Sequence, residues 1–96
     1  MRKYAKIDDN QKQIVVTLRR LGFSVQSIAA IGNGAPDLLV GYEGKNYLFE
    51  VKDGNKPPSK QQLSEDEKKW HSLWRGGCDI VKTAEEIVAI ILGGAA

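Results

Sequence analysis

Asp37, Glu50 and Lys52 are the residues of this 96-residue chain whose types and spacing best suit chemistry. Asp37 follows Pro36 directly, so the acid sits at a defined corner. Glu50 and Lys52 are two positions apart, and on a strand such residues point the same way. Carboxylates grouped like this suit a hard divalent cation. Mg²⁺ typically takes one or two carboxylates, keeps several waters and also binds substrate phosphate oxygens. Such a cation polarises a phosphodiester and lowers the pKa of a bound water for in-line attack. A lysine beside it orients that water or stabilises the charge that develops on phosphorus. The backbone carbonyl of Val51, between the two side chains, is a candidate further ligand. The reaction class this supports is metal-assisted hydrolysis of a phosphodiester.

Two strand-like runs must position these groups, residues 37–42 and 47–52, joined by Glu43-Gly44-Lys45-Asn46. A two-residue Gly44-Lys45 loop with glycine first suits a type II′ turn. It pairs Tyr42 with Tyr47, Leu39 with Glu50 and Asp37 with Lys52. Leu38, Val40, Tyr42, Tyr47, Phe49 and Val51 then share one apolar face. Asp37, Leu39, Gly41, Leu48, Glu50 and Lys52 take the other, with Asp37 diagonal to Glu50 and within cross-strand reach. A three-residue loop would break this parity. Leu39 and Leu48 on the polar side suggest a covering helix, which would leave the charges in a cleft. Charges held out of water are expensive unless paired or metal-bound.

Around the hairpin, Ile7, Ile14, Val15, Leu18 and Leu21 predict a helix over 7–21, capped by Asp8 or Asp9 and stopped at Gly22. Residues 23–26 alternate as a half-buried strand, and 28–34 read as a loop. The polar, proline-bearing stretch after Lys52 is a surface loop. Ser64-Glu-Asp-Glu67 is a capping box for a helix carrying Trp70, Leu73 and Trp74. Gly76-Gly77 ends that helix, residues 79–82 form a short strand, and Thr83-Ala-Glu-Glu86 opens a last helix through Leu92.

Composition narrows the classes. Ninety-six residues with 42% hydrophobic and 27% charged content fit one small globular domain spanning 1–96. The longest apolar run, residues 87–92, is six long, far short of a bilayer span. No secretory leader is visible, and the expected compartment is cytoplasmic. A single Cys and a single His exclude an intramolecular disulfide and disfavour a zinc site. The net charge of +2 does not announce a nucleic-acid binder, but residues 1–36 balance at +4 and residues 64–96 at −2. His71 has no Ser or Cys partner in view and reads as a structural or surface residue. Cys78 reads as a small buried residue and the Trp70/Trp74 pair as core. Gly32 and Gly34 precede a strand rather than a helix, so they are no phosphate-binding fingerprint.

Pro36-Asp37 with Glu50-Val51-Lys52 matches the Pro-Asp…(Asp/Glu)-x-Lys signature of the superfamily of type II restriction enzymes and Holliday-junction resolvases. The likeness extends to Gly34-Ala-Pro-Asp-Leu-Leu-Val-Gly41, Phe49-Glu-Val-Lys-Asp-Gly54, Lys56-Pro-Pro-Ser-Lys60 and Gln62-Leu-Ser64. Over residues 11–92 the chain resembles the stand-alone virus-type replication-repair nuclease domain, VRR-Nuc. The resemblance implies an α/β restriction-endonuclease-like core, a small mixed β-sheet flanked by helices. It implies a Mg²⁺ or Mn²⁺ requirement and DNA as substrate, four-way junctions in particular, cut by a homodimer. Asp37 and Glu50 would hold the metal, and Lys52 would position the water. Similar nucleases often add a Glu from the first helix, where this chain carries Gln11, a weaker neutral ligand. Lys56 and Lys60 are candidate phosphate contacts. A non-cleaving DNA-binding module of the same fold is the rival reading. A flap-, nick- or duplex-specific endonuclease, or a structural domain with incidental charges, are further ones.

Overall fold

In the chain's structure, a computed structural model that describes residues 9–93, the hairpin is the centre of a four-stranded sheet. Its strands are β1 (Ser24–Ser27), β2 (Leu38–Tyr42), β3 (Lys45–Val51) and β4 (Asp79–Val81), in that spatial order. β1, β2 and β3 pair antiparallel, and β4 joins β3 in parallel. The helices are α1 (Asp9–Arg20), α2 (Glu65–Leu73) and α3 (Ala84–Gly93). Parallel neighbours need a crossover, and α2 lies on the one from β3 to β4. Ile7, Asp8 and the basic residues Arg2, Lys3 and Lys6 lie outside the described residues.

The hairpin turn differs from the expected one. Its corner is Glu43-Gly44, with φ of 49° and 78°, and positive φ at both central positions defines a type I′ turn. Tyr42 therefore pairs with Lys45, Leu39 with Leu48 and Leu38 with Phe49. The register is displaced by two residues from the Gly44-Lys45 prediction, so every side chain keeps its face. Leu38, Val40, Phe49 and Val51 pack with Val25, Val81 and Phe23 into one core with Ile14 and Leu18 of α1 and Ala84 and Ile87 of α3. Gly22, at φ 96°, closes α1 in the left-handed conformation that a helix end favours.

The opposite sheet face is more open than expected. Leu39 and Leu48 are half-buried and Ile80 is exposed. α2 buries none of its own residues, and the Trp70/Trp74 pair is not core. The two indoles stack on each other, centroids 4.7 Å apart, and Trp74 stays 48% exposed. Their i,i+4 spacing is satisfied by stacking on each other at the C-terminal end of α2, a solution that periodicity cannot separate from burial. The 28–34 segment also contains a single 3-10 turn, Ala29–Ile31. No helix among the described residues is long and apolar enough to cross a membrane.

Candidate active site

The groups converge where β2 begins and β3 ends. Asp37 stands at the mouth of β2 with its backbone held on both sides. Its N–H donates to the Phe49 carbonyl at 3.0 Å, and its carbonyl accepts from the Ile28 N–H at 2.8 Å. Its side chain is fixed too, since the Val51 N–H donates to Oδ2 at 2.8 Å. In the observed register Asp37 falls opposite Glu50 rather than diagonal to it. The two-residue displacement thus draws the acids closer than the sequence suggested.

Glu50 is only 2% exposed, and its Oε1 is buried with no hydrogen-bond partner. Burial, then the neighbouring charge of Asp37, push its carboxyl up to about 9, with Glu67 adding to the rise. Burial raises Asp37 as well, against the lowering effect of the Val51 N–H. Lys52 lies between two acids, with Nζ 2.9 Å from Glu67 Oε1 and 3.6 Å from Glu50 Oε2. Burial works against its charge, but the hydrogen bond and charge of Glu67, with Glu50 and Asp37, outweigh it and raise its pKa. Lys52 is therefore an ammonium, a donor and a positive charge rather than a base.

Glu67 is the member that sequence reasoning missed. Ser64-x-x-Glu67 does form the expected capping box, the Glu67 N–H donating to Ser64 Oγ and the Ser64 N–H donating to Glu67 Oε1. That role explained the residue fully, and no local pattern announces a second contact fifteen positions back along the chain. Lys52 and the cap together hold Glu67 below the usual carboxylate range despite its partial burial.

α1 reaches the same end of the sheet. The Asn10 side-chain amide donates to the carbonyls of Lys52 and Lys82, both at 3.2 Å. The next residue, Gln11, is buried, and its Nε2 has no hydrogen-bond partner. Lys56 and Lys60 lie exposed on the loop after β3, shaped by the Gln61 amide donating to the Gly54 and Lys56 carbonyls. Cys78 is half-buried rather than buried, and burial, then Glu50, Asp79 and Asp37, push its thiol up to about 11. It remains a thiol beside the acids. His71 packs edge-on against Trp70, and its buried Nε2 has no hydrogen-bond partner.

A divalent cation fits this donor set. Glu50 Oε1 is a buried carboxyl oxygen with no N–H donor against it, and Asp37 presents a second carboxylate. Gln11 turned about its last bond would offer its amide oxygen. No group of three or more His, Cys, Asp or Glu among the described residues is arranged to hold a metal. A cation bound here would rest on two carboxylates and would need neutral oxygens and water to complete its ligands, as Mg²⁺ allows.

A solved structure described as a VRR_NUC domain superposes on the chain with a TM-score of 0.59, at 27% sequence identity. The match covers 86% of this chain and 90% of that one. The chain has the VRR-Nuc fold. The mixed four-stranded sheet with three helices is the α/β core that the sequence resemblance implied. No family model matches the sequence, and no curated protein does. The VRR-Nuc likeness supports a nuclease-type domain, and Asp37, Glu50 and Lys52 lie together on that fold.

Proposed function

We propose that residues 1–96 form one nuclease domain, a divalent-metal-dependent, structure-selective DNA endonuclease that resolves four-way junctions as a homodimer. The observation that carries this reading is the convergence of two buried-side carboxylates and one ammonium on a VRR-Nuc fold. Asp37 and Glu50 would hold Mg²⁺ or Mn²⁺, with the Val51 carbonyl and Gln11 as neutral candidates. The cation supplies positive charge against the phosphodiester oxygens and makes water a better nucleophile. The Val51 N–H keeps the Asp37 carboxylate aimed. Lys52, charged throughout, donates to the attacking water or to the phosphate oxygens as charge builds there. Lys56 and Lys60 lie on the loop that leaves β3, where they can meet flanking phosphates.

Purified protein should cut a labelled synthetic four-way junction when Mg²⁺ or Mn²⁺ is added, and chelation should stop it. Asp37→Ala and Lys52→Ala should each lower the rate at least a thousandfold while leaving the fold intact by circular dichroism. Equal cutting by wild type and Lys52→Ala would remove the assigned mechanism. One observation favours a second reading, a junction-binding module that does not cleave: a neutral Gln11 is the residue buried on α1 where similar nucleases often carry a Glu. Salt-sensitive junction binding without cleavage in any divalent metal would support it. Flap, nick and duplex substrates in the same panel separate the remaining endonuclease specificities.

A further inference from the structure

We propose that Glu67 is a positioning residue of the active site, a carboxylate on α2 that fixes the ammonium of Lys52 beside Glu50. The inference rests on the nuclease reading above and extends it to an element that carries none of the signature residues. Lys52 Nζ has three hydrogens and two acid neighbours, Glu67 at 2.9 Å and Glu50 at 3.6 Å. The shorter contact is to Glu67. With the ammonium pinned by one carboxylate from the helix and leaning on one from its own strand, its third hydrogen is left for a water or a phosphate oxygen. Without Glu67, Lys52 keeps only the longer contact, and a four-carbon side chain regains its rotamers.

Glu67 is itself held rigidly. Its Oε1 accepts from both Lys52 Nζ and the Ser64 N–H, so the atom that grips the lysine is the one tied to the helix start. The helix start is in turn pressed against the approach to Asp37. A Cβ at Gly34 would collide with the Asp66 carbonyl and lie 2.8 Å from Glu67 N, so only glycine lets the two segments meet. The loop leading to Asp37, the first turn of α2 and the side chain of Lys52 form one connected unit. α2, which buries little of itself, is placed by these contacts rather than by a hydrophobic face.

Glu67→Gln keeps a residue that a capping box accepts but removes the charge that grips Lys52. Ser64→Ala weakens the cap and leaves the grip, and so serves as its control. Glu67→Gln should lower kcat on a saturating junction at least tenfold with KM within about twofold, whereas Ser64→Ala should stay within twofold in both. A second readout needs no cleavage. In cold, mildly acidic solution the Lys52 ammonium, assigned by its loss in Lys52→Gln, should give a ¹⁵Nζ signal shielded from water exchange. That signal should persist in Ser64→Ala and vanish in Glu67→Gln. Equal shielding in wild type and Glu67→Gln would overturn the proposal, as would equal kcat losses in Ser64→Ala and Glu67→Gln. If wild type cuts nothing yet the ammonium signal behaves as described, the nuclease reading fails and the positioning contact stands.

Discussion

At the scale of single residues, the consequence most open to measurement comes from Glu50. Its carboxyl is raised to about 9 in the folded chain, by burial first and by Asp37 next, against an ordinary glutamate value of 4.5. Between those values the metal-free folded protein holds a proton that the unfolded chain has released, so stability must fall as pH rises through that window. Asp37, also raised, acts with the same sign. Glu67 is lowered, so its contribution is lost only as pH falls below the ordinary carboxylate range. Lys52 is raised, and its contribution is lost only above the ordinary lysine value of 10.5. Urea unfolding in chelator should therefore show a decline between about pH 5 and 9, with a slope of up to about 1.4 kcal/mol per pH unit for one proton. Glu50→Gln should flatten the decline and be the more stable protein at pH 8. A cation that binds the Glu50 carboxylate must displace the same proton. Mn²⁺ affinity should then rise by up to about tenfold per pH unit below pH 9, readable by calorimetry in buffers of different ionisation heat. A pH-independent affinity would mean that Glu50 is not a ligand.

At the scale of elements, the approach of Gly34 to α2 yields a structural prediction. Gly34 sits at φ 84°, which strains any other residue, and its missing Cβ makes room for the Asp66 carbonyl. Gly34→Ala meets both penalties, and we expect a loss of about 2–4 kcal/mol in urea unfolding, with α2 displaced and the Lys52–Glu67 pair broken. An unchanged midpoint would mean that α2 yields freely there. Gly44, also at positive φ, opens to solvent, so its replacement meets the conformational penalty alone. These elements also show what the sequence could and could not carry. Alternation in residues 37–42 and 47–52 assigned the two faces correctly although the turn was placed one residue late. A register slip of two preserves parity, and parity is all that alternation records. The capping patterns at Ser64 and Thr83 located both later helices, because cap hydrogen bonds are local, although at Thr83 Glu86 accepts from the Lys82 N–H rather than closing the box. The Trp70/Trp74 stripe misled because a pair stacked on its own helix has the same spacing as a buried one. Asp37, Glu50 and Lys52 were legible through strand geometry and a short signature. Glu67 was not, because only the tertiary crossover from β3 to α2 brings it to Lys52.

At the scale of the whole molecule, the proposed twofold assembly makes a claim that subunit mixing can test. One chain of 10.6 kDa, with one Asp37–Glu50–Lys52 set, can address one phosphodiester at a time. Resolving a four-way junction needs two cuts on opposed strands, and a symmetric pair presents two identical sites related by the twofold axis. The net charge of +2 per chain doubles on pairing, which suits a polyanionic junction better than either chain alone. Co-expression of wild type with a differently tagged Lys52→Ala chain, followed by two-step affinity isolation, yields pairs with a single working site. Such pairs should nick the junction and accumulate the nicked species, while wild-type pairs carry it through to two linear duplexes. Complete resolution by isolated mixed pairs, with no nicked intermediate, would show that one site serves both strands in turn. Sedimentation at the mass of a single chain, both free and on the junction, would remove the twofold premise itself.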